Sequence, residues 1–265
     1  MSDMMNKISK PKRPPVWNKA YPFEDLYEFT TYHVVVKIAE GHQTLFPRTS
    51  DAYYYIRKLR DNLIKYHCHL AEYMTMSNHF HFLAVSPDGL EPLMKAIKAT
   101  NVSYSMHLRF LARHCGKSER NMEILDCLRE NSSMKVFQDT VSYIPISGHR
   151  QLLVEMRYIK RNPENANLLD GDRHISSRKE YIRNHFTFTD KETIESIAER
   201  YGKTPMELHN ALMIDDMAWG RILESLLPTD LSDEFGIFKT QDAKFSLTTF
   251  RFPPANSPTA DPDSS

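Results

Sequence analysis

The chain has 265 residues, more than one domain of about 150 residues needs and fewer than two such domains require, which points to one main domain with an appendage. Hydrophobic residues at 41%, charged residues at 26% and aromatic residues at 11% exclude wholesale disorder, collagen-like repeats and low-complexity architecture. The net charge is zero, but residues 1–185 hold 27 Lys and Arg against 20 Asp and Glu, whereas residues 186–265 hold 7 against 14; a basic body suits a polyanionic partner, and an acidic C-terminal part competes for the same surface or keeps the chain soluble.

No run of about 18 apolar residues occurs, so no membrane-spanning helix and no membrane partner is expected. Residues 1–20 are polar, basic and proline-bearing, without the apolar segment of a secretory signal. Cys68, Cys115 and Cys127 include no Cys-x-x-Cys pair. That disfavours a disulfide framework or a cysteine-built zinc site, and the expected localisation is a reducing cytoplasm.

In chain order, residues 1–22 set Lys7, Lys10, Lys12, Arg13 and Lys19 among Pro11, Pro14 and Pro15 and read as an extended basic arm. Residues 30–38 are β-branched and aromatic, hence a strand. Ser50 is the expected cap of a helix over 50–65, in which Ala52, Ile56, Leu59 and Leu63 form one apolar stripe. Apolar segments at 69–74 and 79–85 predict a hairpin. A long helix follows over 91–114, where Leu93, Ile97, Tyr104, Leu108 and Leu111 keep the helical period. Residues 117–133 are expected to include a further short helix, and 135–139 a short strand. The next helix spans 148–162, with Pro163 helping to stop it.

The order strand, helix, strand, strand, helix, strand, helix is the ferredoxin-like βαββαβ arrangement of the α+β class with an added helix. An antiparallel sheet with helices packed on one face is expected, forming a main domain over 23–185. Residues 186–251 read as a helical appendage, and 252–265, with four prolines, as a disordered tail. Within the appendage, residues 197–208 have the helix, glycine turn, helix rhythm of a helix-turn-helix. Residues 190–216, however, carry three basic against seven acidic side chains, a poor charge for gripping phosphates, which favours a plain helical cap over a reader of duplex DNA.

His79-Phe80-His81 opens an apolar strand, whose period of two puts both imidazoles on one face and Phe80 and Phe82 on the other. Two neutral imidazoles so placed can converge on one divalent metal. His67-Cys68-His69 is a weaker candidate, because it straddles a helix end and a strand start. On the helix over 148–162, Leu152, Met156 and Ile159 form the buried stripe, whereas Tyr158 and Asn162, four apart, lie together off to one side, at the edge of a cleft or of the core.

At these two segments the chain resembles the single-tyrosine HUH transposases, specifically the REP-associated tyrosine transposase branch. Tyr73-Met-Thr-Met-Ser-Asn78-His79-Phe80-His81-Phe82-Leu83 looks like that family's tyrosine, Met-Pro-Asn-His-hydrophobic-His-Leu-Leu signature, and Tyr158-Ile-Lys-Arg-Asn162-Pro163 looks like its Tyr-Ile-x-x-Asn-Pro. The similarity runs from about Tyr32 to His185. Ser77 replaces the usual proline, and residues 135–139 lack the tryptophan and arginine associated with that strand.

The resemblance implies an HUH endonuclease-type fold in which the added helix is catalytic. It also implies cleavage of single-stranded DNA near a hairpin, with Tyr158 joined to the 5′ phosphate and a 3′ hydroxyl released. His79 and His81, with the Asn162 carbonyl oxygen, would hold Mg²⁺ or Mn²⁺. Lys95 and Lys98 on the long helix, with Lys160 and Arg161, are candidates for backbone-phosphate contacts, with plain solvated charge as the other reading of each. Both a self-contained monomer and a homodimer sharing active sites are open under it. Two other readings stand beside it: a relative that binds hairpin DNA without cutting it, and a transcriptional regulator using the C-terminal helix-turn-helix rhythm. A histidine-triad nucleotide hydrolase is disfavoured because position 83 is Leu83.

Overall fold

The computed structural model describes residues 30–40, 44–115, 123–165, 174–227 and 248–251; the arm expected at 1–22 and the tail expected at 252–265 lie outside the described residues. Strands β1 (Thr31–Lys37), β2 (His69–Thr75), β3 (His79–Val85), β4 (Thr140–Pro145) and β5 (Thr248–Arg251) form one sheet in the order β2-β3-β1-β4-β5. Every neighbouring pair is antiparallel. Helix α1 (Thr49–Lys65) connects β1 to β2, and α2 (Leu90–His114) and α3 (Glu123–Glu130) connect β3 to β4. After β4 come α4 (His149–Asn165), α5 (Arg178–Arg183), α6 (Lys191–Arg200), α7 (Pro205–Leu212) and α8 (Asp216–Leu226). Among the described residues no helix is long and apolar enough to cross a membrane.

Helices cover both faces of the sheet, not one. The strands already carry the reason: β1 is buried except at Lys37, and β2 and β3 are buried after their first residue, a continuous pattern that a sheet with one solvated face does not show. One face sends Tyr32, Val34 and Val36 of β1 and Phe80, Phe82 and Ala84 of β3 into a core closed by Ile56, Leu59 and Leu63 of α1 and Leu93, Ile97 and Leu108 of α2. The other sends Leu83 and Val85 of β3 and Ala71 and Met74 of β2 against Leu152, Leu153, Met156 and Ile159 of α4. Ile194 and Ile197 of α6, Leu208 and Leu212 of α7, and Leu223 and Leu226 of α8 complete this second core. The C-terminal helices are therefore packed with α4 over the sheet.

Three local expectations need correction. At 135–139 only an isolated bridge forms, between Ile38 and Phe137, and Lys135 pairs with Asp139. The strand is the next segment, where Val141 and Tyr143 face the first core and Ile144 the opposite side. Helix α1 begins before Ser50, and the Asp51 carboxylate accepts from the Arg48 backbone N–H at 3.1 Å, a first-turn acid satisfying a free donor. Pro163 does not stop α4, which continues to Asn165; so near the C-terminus its ring removes only one late hydrogen bond.

Polar side chains pin α4 in place. A register shift between Leu70 and Glu72 inserts one extra residue and turns Glu72 towards α4, where its carboxylate meets the Lys160 ammonium, both groups 1% exposed. Lys160 Nζ also lies 3.5 Å from the centroid of the Tyr181 ring. Burial pushes the Glu72 carboxyl up and the Lys160 amine down, and each partner opposes the other's shift. Arg157 donates to the Ile214 carbonyl at 2.7 Å and to Asp216 Oδ1 at 2.6 Å, and its guanidinium lies 4.6 Å from the Trp219 ring centroid.

Lys160→Met strands the Glu72 charge in a dry site and should cost roughly 3–5 kcal/mol, whereas Lys160→Met with Glu72→Leu should recover most of that loss. Unfolding of the two variants by denaturant checks this; a single variant as stable as the parent contradicts the buried pair.

Candidate functional site

The two-residue period of β1 and β3 that fills the first core with apolar side chains places His33, Val35 and Lys37, and His79 and His81, on the opposite face. In the antiparallel register Val35 stands across from His81 and Lys37 across from His79, so His33 reaches His81 along the diagonal. The His79 and His81 rings meet edge-on with centroids 4.6 Å apart. His79 Nδ1 lies 2.6 Å from Asn78 Oδ1; a carbonyl oxygen only accepts, so the hydrogen is on Nδ1 and Nε2 keeps its lone pair. His81 Nδ1 is 3.0 Å from His33 Nε2, and His33 Nδ1 is 2.7 Å from Glu155 Oε2. On its other side, His81 Nε2 lies 3.2 Å from the Asn162 amide nitrogen.

Helix α4 supplies Glu155, Tyr158 and Asn162. Between Gln151 and Pro163 every side chain is buried or half-buried except Tyr158, which is 45% exposed. Its ring centroid is 5.6 Å from that of His81 and 5.8 Å from that of His33. Tyr158 thus stands at a cleft of about 820 Å³, whose lining includes His33, Lys37, His79, His81 and Glu155 as well as Val35, Gln138, Ile144 and Val154. Polar side chains, Glu40 and Asn78 among them, outnumber apolar ones such as Val35, Ile144 and Val154 in this lining, and polar groups converging in a concave cleft mark a ligand site.

Burial, followed by the repulsion of Lys37, lowers the pKa of His79 to about 4; burial, then the neighbouring His33, His79 and Lys37, lowers that of His81 to about 2. Both imidazoles are neutral near pH 7, the state that binds a metal. Among the described residues no group of three or more His, Cys, Asp and Glu side chains is arranged to hold a metal ion. The donors assembled here are two imidazoles and one amide. They fit a divalent cation that retains water or substrate oxygens: His79 and His81 each have Nε2 unprotonated, and a half-turn of the Asn162 amide replaces its nitrogen by the oxygen.

The structure brings Tyr158, His79, His81 and Asn162 together. It does not bring the four candidate phosphate contacts to them. Lys160 is buried against Glu72 on the core side of α4, because it lies two residues, about 200°, round the helix from Tyr158. Arg161 pairs with Glu164 and Asp216. Lys95 pairs with Glu91, and both Lys95 and Lys98 belong to α2, which covers the other face of the sheet. The cation that does line the cleft is Lys37. Sequence reasoning missed Lys37, His33 and Glu155, although the alternation His33, Val35, Lys37 on a strand and the Glu155-to-Tyr158 spacing on a helix were there to be read.

Of the other candidates, His67 sits in a turn at φ +58° and His69 Nδ1 lies 3.4 Å from Asp190 Oδ2. Among the tyrosines of α1, outside the cleft, Tyr55 is fully buried in the first core and Tyr54 stacks on His107.

Comparison with protein-family models and with curated proteins returns no match. A solved structure described as a REP-associated tyrosine transposase bound to a REP hairpin is similar over 61% of this chain and 85% of its own, at 11% identity and a TM-score of 0.42.

The depressed histidines set a pH dependence. In the unfolded chain each titrates near 6.5, so below that pH the unfolded state takes up protons that the folded state refuses, and stability falls as pH drops towards 4. His81 alone should contribute a slope of about 1.4 kcal/mol per pH unit in that window. Calorimetry of the metal-free protein from pH 7.5 to 4.5 should show the loss, and His81→Gln should flatten it; an equal slope in that variant contradicts the assignment.

Proposed function

We propose that the chain is a metal-dependent single-strand DNA endonuclease and strand transferase, a transposase-like enzyme of the HUH type acting next to DNA hairpins. The observation that carries this reading is Tyr158: the one exposed side chain along a buried stretch of α4, with its ring within 6 Å of two imidazole rings of an ordered histidine cluster. The strand order β2-β3-β1-β4, with α1 and α2 as the connections, is compatible with the ferredoxin-like arrangement expected of that fold. The signature-like segments around His79-Phe80-His81 and Tyr158 agree with it.

In this mechanism Tyr158 Oη attacks the phosphorus of the scissile phosphodiester and gives up its proton. The bond to the 3′ oxygen breaks, that oxygen takes up a proton, and the downstream strand remains joined through its 5′ phosphate to the tyrosine. His79, His81 and Asn162 would hold Mg²⁺ or Mn²⁺, which when bound would supply Lewis-acid neutralisation of the non-bridging oxygens. Lys37, across the strand pair from His79, places a cation beside the same phosphate. Attack of a second 3′ hydroxyl on the phosphotyrosine reverses the step and joins a new strand without an external energy source, because the phosphodiester is conserved in the linkage.

The test uses an oligonucleotide hairpin with a single-stranded flank, labelled at its 3′ end, with Mn²⁺. The full chain should give a labelled protein adduct that survives denaturation. Tyr158→Phe removes only the nucleophilic oxygen and should abolish the adduct with hairpin affinity changed less than about twofold. An undiminished adduct overturns the assignment of Tyr158, and hairpin binding by the parent with no adduct marks a binding protein that does not cut. Lys37→Ala should weaken DNA binding and reduce the slope of log affinity against log salt by about 1; an unchanged slope removes Lys37 from the phosphate.

A further inference from the structure

Two polar side chains of the cleft have no task in this reaction. His33 on β1 is 1% exposed and Glu155 on α4 is 5% exposed, and neither belongs to the segments that resemble the family signatures. Their hydrogen bonds nevertheless have a direction. A carboxylate only accepts, so Glu155 Oε2, 2.7 Å away, requires the hydrogen of a neutral His33 to be on Nδ1. His33 Nε2 is then an acceptor, and its 3.0 Å contact requires the hydrogen of His81 to be on Nδ1 as well. His81 Nε2 is left with its lone pair, which accepts from the Asn162 amide at 3.2 Å.

We propose that Glu155 and His33 are positioning residues, a row of hydrogen bonds that locks His81 in the Nδ1–H tautomer and keeps Nε2 available to the divalent cation. The proposal rests on the reading of His79, His81 and Asn162 as the cation's ligands. Which nitrogen of an imidazole carries the hydrogen is decided by what the other one meets, and a histidine free in water carries it mainly on Nε2, the nitrogen required here as a ligand. The row removes that competing tautomer. It also restrains the ring from the Nδ1 side, through the 3.0 Å contact with His33. Outer partners of this kind typically change metal affinity by 10–100-fold. Packing alone does not call for such a row: an aliphatic side chain can occupy a buried position on this face of β1, as Val35 does at 4% exposure one alternation later.

Imidazole ¹⁵N spectra of the metal-free full chain should show His81 protonated at Nδ1. Protonation at Nε2 overturns the proposal, with no variant needed. Titration with Mn²⁺ alone then separates positioning from structure. Gln at position 33 can donate to Glu155 and accept from His81, so His33→Gln should stay within about threefold of the parent, whereas His33→Leu should bind Mn²⁺ about 10–100-fold more weakly. Glu155→Gln keeps an acceptor for His33 and should be milder than Glu155→Leu. His33→Leu that is folded and binds Mn²⁺ as the parent does overturns the proposal. Failure of the parent itself to bind Mn²⁺ instead overturns the ligand assignment on which the proposal rests.

Discussion

A sheet covered on both faces forces each of its strands to serve two surfaces at once, and the two-residue period of β1 and β3 divides the work. One set of residues, Tyr32, Val34, Val36, Phe80 and Phe82, is apolar and supplies the core under α1 and α2. The interleaved set, His33, Val35, Lys37, His79 and His81, lines the cleft. Slipping either strand by one residue would exchange these sets, burying imidazoles and an ammonium under α1 while turning phenylalanines into the cleft. The large apolar burial of the first core therefore fixes the orientation of the polar residues on the second face, at no cost to the site's own chemistry.

Helix α4 completes the site by being held almost everywhere except at Tyr158, which is 45% exposed. Leu152, Leu153, Met156 and Ile159 pack into the second core, Lys160 is anchored on Glu72, and Arg157 reaches the start of α8. Tyr158 is left facing the cleft. In the proposed reaction, a side chain on a helix clamped at the preceding and following residues would need little reorganisation to meet its target. The C-terminal helices thus contribute to the site indirectly, by burying the back of the helix that carries it.

The charge distribution gains a different meaning in this frame. The excess of basic residues before position 186 suggested a broad phosphate-binding surface, yet Lys160, Arg161 and Lys95 are engaged with acidic side chains. A cation in an ion pair offers little to a passing phosphate. Lys37 differs in position, not in kind: it lies on the histidine face of β1, at the end of the strand, where the cleft opens. Two acidic residues of the C-terminal part are likewise engaged within the chain, Asp216 with Arg157 and Arg161 and Glu224 with Arg150.

Local pattern was enough to read α1, α2, the β2–β3 hairpin and the shared face of His79 and His81, because helical and strand periods are properties of a few neighbouring residues. It was also enough to single out Tyr158 and Asn162, which are one turn apart on a helix with a clear apolar stripe. It could not read β4, since residues 135–139 and 140–145 carry similar β-forming composition and only pairing with β1 chooses between them. Nor could it separate Lys160, buried on Glu72, from Lys37, lining the cleft, because burial depends on what packs against a side chain from elsewhere in the chain. His33 and Glu155, 122 residues apart, meet only after β1 and α4 are laid across each other. The sequence by itself determined which residue types stand on each face of each element; the tertiary structure decided which of those faces meet, because hydrogen bonds and ion pairs between distant segments exist only at contact distance.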